Sequence, residues 1–144
     1  MPSRPSGSRS AALLDGLPLF AGLSQRDLAR VSRLMREVEA PPGKRLASIG
    51  EIGREMYVIV NGRALVTTRQ GHQFHIGPGD YFGEMSLIDG EPRSATVDAA
   101  TEMRLLVLGY REFWQLMDES LPIVRKVVQT LSKRLRQSEK SPVA

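Results

Sequence analysis

The sequence contains no cysteine, and this absence excludes both disulfide bonds and thiolate metal ligands. It also contains no apolar run of the roughly 18 residues that a membrane-spanning helix needs. The amino-terminal stretch MPSRPSGSRS lacks the apolar core of a signal peptide. We therefore expect a cytoplasmic protein without a transmembrane segment.

The 144 residues have the size and composition of one soluble domain, with 41% apolar and 25% charged residues. We expect residues 1–9, rich in Ser, Pro, Gly and Arg, to be disordered, residues 10–138 to form the domain and residues 139–144 to form a flexible tail. Six of the basic residues and one acid fall between Arg125 and Ala144, a local balance of +5. This charge favours a solvated helix face over a surface for nucleic acid or anionic lipid.

Hydrophobic periodicity predicts an α+β fold in which a helix, a β-roll and two further helices follow one another. Ser24 is the expected N-cap of a helix over residues 24–36. The preceding LLDGLPLFAGL predicts a short helical or turn segment that docks Leu17 and Phe20. An antiparallel, jelly-roll-like β-roll of about eight short strands is expected over about residues 37–109. Its β-like runs are 44–49, 55–60, 63–69, 72–76 and 94–108.

Two local patterns refine this outline. Asn61-Gly62, within MYVIVNGRALV, predicts a hairpin with a type I′ turn. The carboxy-terminal helices are expected over about residues 110–138, with Pro122 in the first turn of the second helix. That helix carries one apolar stripe, consisting of Leu121, Val124, Val128, Leu131 and Leu135. Fewer than ten residues follow it, so we expect no sequence-specific DNA binding.

The segment GDYFGEMSLIDGEPRSATV contains three glycines, and it has a glutamate, Glu84, directly after one of them and an arginine, Arg93, nine residues later. GEMSLIDG predicts one or two helical turns between Gly83 and Gly90. Arg93 can hold two oxygens of a phosphate, and Glu84 can accept hydrogen bonds from sugar hydroxyls. These features favour a singly charged nucleotide, because the sequence has no Walker-type glycine loop for a triphosphate.

Alternatives to this interpretation are an internal Glu84–Arg93 salt bridge and a metal site at His72 and His75. A salt bridge is the commoner explanation for an arbitrary Glu and Arg nine residues apart. The full string, with its glycines and its place after a β-roll, reverses that preference. The two histidines lack a third ligand nearby, so we interpret them as strand residues and expect no metal.

The string FGEMSLIDGEPRSATV closely resembles the phosphate-binding cassette of cyclic-nucleotide-binding domains. Two further stretches, GEIGREMYVIVNGRALV and LPLFAGLSQRDLARV, resemble a strand pair and the leader of the same family. The resemblance extends from about Leu17 to Gln137. It implies a cyclic-nucleotide ligand, with Glu84 at the ribose 2′-hydroxyl beside the Gly83 backbone and Arg93 at the exocyclic phosphate oxygens.

The same resemblance implies the remaining contacts. Cassette neighbours near the phosphate are expected to be Met85, Ser86, Ser94 and Ala95. Apolar contacts for base and sugar are expected from Val66 and Ile76. The last helix resembles a hinged lid, which would bring Arg134, Leu135 and Ser138 over the base, although a core or dimer seam is the commoner role of such a helix.

These positions predict a cyclic-nucleotide sensor that moves its carboxy-terminal helices when it binds. We expect cyclic AMP rather than cyclic GMP, although Ser94 keeps a hydroxyl where a threonine favours guanine in some relatives. Without a nucleophile, base or metal set, we expect no catalysis and no cofactor, and the output would pass to an unknown effector protein or domain. The alternatives are a non-binding structural or dimerisation module, or a sensory domain detached from a channel or transcription regulator.

Overall fold

Eight strands form two four-stranded antiparallel sheets in this computed structural model, which describes residues 13–140, with side chains up to residue 137. The strands are β1 (Arg36–Ala40), β2 (Arg45–Ala47), β3 (Glu55–Asn61), β4 (Ala64–Thr68), β5 (Gln73–Ile76), β6 (Tyr81–Phe82), β7 (Ala95–Ala99) and β8 (Met103–Gly109). Sheet 1 has the order β1-β8-β3-β6, and sheet 2 has the order β2-β7-β4-β5. The predicted eight-stranded α+β roll is confirmed.

The helices α1 (Gln25–Leu34), α2 (Glu84–Asp89), α3 (Tyr110–Glu119) and α4 (Leu121–Lys140) flank the sheets, a 3-10 turn spans Pro18–Phe20, and residues 13–15 are also helical. The predicted N-cap is confirmed, because the Ser24 hydroxyl accepts the backbone N–H of Asp27 at 3.1 Å. Leu17 and Phe20 are buried, as the leader pattern predicts. No helix among residues 13–140 is long and apolar enough to cross a membrane.

Sheet 1 separates two hydrophobic cores, because successive side chains of a strand point to opposite faces. On one face, Met56 and Val58 of β3 pack with the helices, including Phe113 of α3. On the other face, Ile59 joins the interior of the roll together with Val66 of sheet 2. The interior of the roll is therefore closed by sheet 1 on one side and by sheet 2 on the other.

The predicted Asn61-Gly62 hairpin is wrong, because β3 and β4 belong to different sheets. A type I′ turn needs positive φ at both central residues, whereas no residue other than glycine has positive φ in the described chain. Gly62 has φ of 92°, and a Cβ there would lie 2.9 Å from the Met103 Cα. Gly62 therefore lets the chain pass close to β8 as it leaves sheet 1 for sheet 2.

The prediction of one β-like run over residues 94–108 is also wrong, because this segment contains two strands, β7 and β8. Residues 100–102 bend between β7 of sheet 2 and β8 of sheet 1. The segment 1–9, which we expect to be disordered, and the tail 141–144 lie outside the described residues. Helix α4 continues to Lys140, two residues beyond the expected end of the domain.

Candidate functional site

The connection between β6 and β7 carries the cassette from an edge strand of sheet 1 to an inner strand of sheet 2. It begins with Gly83, the N-cap of α2, which has φ of 95°. A Cβ on Gly83 would lie 2.8 Å from the Glu55 carbonyl oxygen and 2.8 Å from the Arg93 Nη1. Only glycine therefore fits where the cassette passes β3 and the guanidinium of Arg93. The predicted helical turns of GEMSLIDG are present as α2.

Arg93 lies in a slot whose two walls are glycines. Its Nη2 donates a hydrogen bond of 2.9 Å to the backbone carbonyl of Glu55. A Cβ on Gly53 would lie 2.6 Å from both the Nε and the Nη2 of Arg93, and still closer to its Cζ. Within residues 13–137, no carboxylate forms a salt bridge with Arg93. The structure therefore places the guanidinium in a fixed position and leaves its charge without an anionic partner.

The internal Glu84–Arg93 salt bridge considered above does not form, because Glu84 pairs with Arg134 instead. The Glu84 side chain is 1% exposed. Arg134 Nη1 donates to its Oε1 at 2.6 Å and to its Oε2 at 3.0 Å. Burial raises the pKa of Glu84, and the nearby Arg134 offsets part of that effect. The carboxylate is thus buried with one cation bound to both of its oxygens.

Arg134 also fixes the end of α4 against β6. Its Nη2 donates to the Tyr81 carbonyl oxygen at 2.8 Å, and its Cζ lies 5.3 Å from the centre of the Tyr81 ring. Ile123 and Val127, which precede Arg134 at helical spacing on the same face of α4, are buried. Leu135, by contrast, is 61% exposed.

The other carboxy-terminal helix also contacts the cassette. Trp114 of α3 donates its indole N–H to the Leu87 carbonyl of α2 at 3.0 Å. Leu87 is buried in the helix-side core together with Phe113. Both carboxy-terminal helices are therefore joined to the cassette by hydrogen bonds, α3 through Trp114 and α4 through Arg134.

The predicted apolar contacts lie in the roll interior beside the cassette. Val66 is buried, and Ile76 and Ala95 are partly buried against the same core. Ser86 is buried in α2, whereas Ser94 is exposed and Met85 is 47% exposed. The Ser138 side chain lies outside the described part of the chain.

Phe74 is a neighbour of the site that the sequence patterns did not identify. It pairs directly with Val66 across β4 and β5 and is 50% exposed. The predicted strand 72–76 contains this residue, but strand periodicity alone does not distinguish a ligand-facing aromatic side chain from a surface one.

A cavity of about 440 Å³ adjoins Arg93. Glu51, Gly53 and Arg54 contribute to its wall, whereas Glu84 and Val66 do not. Its volume is within the range of small-molecule pockets, about 300–1,000 Å³. In this conformation open space thus adjoins the arginine of the cassette, while the carboxylate is covered by Arg134.

No group of three or more potential metal ligands occurs among the described residues. His75 lies on β5 and His72 just before it, and both side chains are exposed. The geometry therefore offers a cation, a buried carboxylate and an apolar strand surface as the recognition groups of the site.

Comparison with known proteins places this geometry in context. A family model described as "Cyclic nucleotide-binding domain" matches residues 37–120. A cyclic nucleotide-gated potassium channel of Rhizobium etli is 40% identical over 120 residues, which are 83% of this chain and 33% of the channel. The cyclic AMP receptor protein of Thermus thermophilus is 33% identical over 132 residues, which are 88% of this chain and 61% of that protein. The chain thus spans only part of the length of these relatives.

A solved structure shows the same fold at lower identity. The regulatory subunit of a cAMP-independent protein kinase A from Trypanosoma brucei superposes with a TM-score of 0.80 at 23% identity, covering 93% of this chain and 51% of that one. At this identity the likeness shows the fold alone.

Proposed function

The chain belongs to the family of cyclic-nucleotide-binding domains, and from that premise we propose that it is a sensor module for cyclic AMP whose carboxy-terminal helices respond to the ligand. The observation that carries the proposal is Arg93, which is fixed by the Glu55 carbonyl and has no carboxylate partner among the described residues. A half-buried, unpaired guanidinium is suited to the oxygens of a phosphate, which it can bind with two parallel hydrogen bonds.

The ribose hydroxyl would bind at Glu84. Each carboxylate oxygen has two lone pairs, so Glu84 can accept a hydroxyl while it keeps a hydrogen bond from Arg134. The base would then extend from the cassette over Val66 and Ile76 in the roll. Met85, Ser86, Ser94 and Ala95 complete the proposed phosphate side of the site.

The coupling to the helices would pass through Arg134 and Trp114. Both residues join a carboxy-terminal helix to the cassette or to β6 by hydrogen bonds. A nucleotide moves these helices only if it binds one of their arrangements better than the other. A ribose at Glu84 changes the hydrogen bonds that Arg134 makes, so the ligand and α4 act on the same carboxylate.

Cyclic AMP is the proposed ligand because two kinds of protein that this chain resembles are named for it, the cyclic AMP receptor protein and cAMP-dependent protein kinase regulatory subunits. Cyclic GMP is the competitor, because the exposed Ser94 retains a hydroxyl. The family comprises binding domains rather than enzymes, and we propose that the nucleotide is bound without being converted.

The output would pass to an effector protein or to a second copy of this chain. Leu121, Val128 and Leu135 are spaced by seven residues on α4, and they are 60%, 57% and 61% exposed. Side chains with this heptad spacing form one seam, as in a two-stranded coiled coil. We propose that this seam pairs with its counterpart on another copy.

A second candidate function is favoured by one observation. Arg134 already binds both oxygens of Glu84, which favours a closed module that serves assembly and binds no nucleotide. A direct measurement of nucleotide binding distinguishes the two functions.

The test is calorimetric titration of cyclic AMP, cyclic GMP and 5′-AMP into the purified protein. Cyclic AMP is expected to bind, and Arg93→Ala is expected to weaken it at least tenfold, because the main charge partner of the phosphate is removed. Arg30→Ala, at an exposed position of α1, is the control for the loss of one surface charge. Absence of binding to folded wild-type protein would support the closed module instead.

A further inference from the structure

Three arginines of α1 form one exposed stripe. Arg26, Arg30 and Arg33 are spaced by four and three residues, and all three are exposed. At 3.6 residues per turn they lie within about 60° of one another, along about 10 Å of the helix. Leu28 and Val31 are buried on the opposite face of α1. The stripe thus points away from the helix-side core and into solvent.

This arrangement works against the stability of α1. Like charges three or four residues apart on a helix repel each other, and both spacings occur in the stripe. Arg26 also lies in the first turn, where the positive end of the helix dipole disfavours a cation. Arg33, in the last turn, is the one member that the dipole favours. An anionic partner would relieve the repulsion by neutralising the charges.

The stripe also has no acidic partner within the part of the chain that the structure describes. None of its three arginines forms a salt bridge or a side-chain hydrogen bond there. The one acid of α1, Asp27, is in no salt bridge either. Arg36, just after α1, pairs with Glu55. The guanidinium groups of the stripe are therefore available to carboxylates or phosphates.

The surroundings of the stripe favour a protein partner over a membrane or a nucleic acid. Helices that bind to membrane surfaces bury an apolar face in the lipid, but no large apolar side chain of α1 is exposed. Strong binding to duplex DNA draws on several phosphate contacts, about 6–10 in typical cases, whereas the stripe offers three cations. Three carboxylates at the same spacing on another helix would face all three arginines at once, and each arginine can bind a carboxylate with two parallel hydrogen bonds.

We propose that the stripe binds an acidic helix of a partner protein, whose carboxylates are spaced by four and three residues and pair with Arg26, Arg30 and Arg33. This inference goes beyond the proposed function, because it assigns a class of partner and does not depend on nucleotide binding. The ion pairs would lie at the surface. Each therefore contributes little by itself, and binding should weaken as the salt concentration rises.

The probe for the test is a synthetic, fluorescently labelled helical peptide of about 20 residues, long enough to be helical in water. The matched peptide carries three glutamates spaced by four and three residues, and a scrambled peptide of the same composition distributes them around the helix. Fluorescence anisotropy at low salt measures binding to the whole chain. The triple variant Arg26→Gln, Arg30→Gln and Arg33→Gln should bind the matched peptide about 3- to 150-fold more weakly than the wild type does, which is the range for three exposed ion pairs.

The matched control is the triple variant Lys44→Gln, Arg63→Gln and Arg69→Gln, which removes the same charge at exposed positions of the roll. It should bind the matched peptide as the wild type does. Thermal unfolding tests the fold of the α1 triple variant. This variant should unfold at the wild-type temperature or above, because the substitutions relieve the repulsion and glutamine is a good helix former. A clear fall would show that the three arginines stabilise the fold and would overturn the argument from repulsion.

The binding measurements can overturn the proposal in two ways. The first is absence of binding of the matched peptide, or equal affinity of the wild type for the matched and scrambled peptides. The second comes from titrations with phosphatidylserine vesicles and with mixed-sequence duplex DNA. If the α1 triple variant loses binding to either of these but not to the peptide, a protein partner is excluded. Because the peptide titration contains no nucleotide, its outcome is independent of whether the chain binds cyclic AMP.

Discussion

Replacing Gly53 by alanine should weaken nucleotide binding, and the fold should lose no more stability than the hydrogen bond between Arg93 and the Glu55 carbonyl contributes. The new Cβ would lie 2.6 Å from the Nε and Nη2 of Arg93, inside van der Waals contact. Gly53 itself does not have positive φ, so alanine brings no backbone strain. The conflict is therefore relieved by movement of the flexible Arg93 side chain out of its slot.

The size of the effect follows from the hydrogen bond that this movement breaks. Arg93 would leave the Glu55 carbonyl, to which it donates at 2.9 Å. A hydrogen bond from a charged group contributes about 1.5–3 kcal/mol. If the free energy of phosphate binding decreases by the same amount because Arg93 is no longer held in position, the affinity for cyclic AMP should fall by about 10- to 150-fold.

Calorimetry on Gly53→Ala measures this loss, and urea unfolding measures its stability. Gly77→Ala is the matched control, because Gly77 also lacks positive φ and its Cβ would lie 3.8 Å from the nearest atom, in ordinary contact. Wild-type affinity in Gly53→Ala would show that the position of Arg93 does not determine phosphate binding, and would refute the reasoning.

Three further results are expected. Arg134→Gln should lower the free energy of unfolding by about 1–3 kcal/mol, because it leaves the buried Glu84 without its cation. In urea unfolding, the double variant with Glu84→Gln should lose less stability than the two single variants lose together. Simple additivity of the two losses would contradict the pairing. Burial raises the pKa of Glu84 above its usual 4.5. As the pH falls, Glu84 is therefore protonated in the folded chain before it is protonated in the unfolded chain. The contribution of Glu84 to the free energy of unfolding should rise as the pH falls from the raised native pKa towards 4.5. The Glu84→Gln variant should lack this rise in stability. Parallel profiles of stability against pH for the wild type and the variant would refute the assignment of the rise to Glu84. Sedimentation should show self-association that Val128→Glu removes, and a wild type that stays monomeric at all concentrations would exclude the proposed α4 seam.

The sequence predicted most of what depends on local chemistry. Ser24 caps its helix because a serine before a helical stretch accepts a nearby backbone N–H. Gly83 and Gly90 bound α2 as expected, and both have positive φ. Alternation and turn residues located β2 to β5 separately, and β7 and β8 as one run. The predicted runs did not include β1, and β6 has only two residues, too few to give a pattern.

What the sequence could not predict depends on contacts between distant residues. Asn61-Gly62 is a strong hairpin signal, yet the strands on either side of it pair with β8 and β7 instead of with each other. The partner of Glu84 is 50 residues away on α4. No local motif specifies that contact, because it depends on how α4 packs against the roll.

The anchor of Arg93 is a main-chain atom, and this makes the phosphate side of the site robust to sequence drift. The Glu55 carboxylate forms a salt bridge with Arg36, whereas its backbone carbonyl holds Arg93. Substitution at position 55 can therefore alter the surface pairing without removing the acceptor of the guanidinium. The adjacent requirement is the absence of a Cβ at Gly53 and Gly83, and Gly83 also has positive φ. Variation among related chains can thus reshape the rim of the site and retune specificity while the arginine keeps its place.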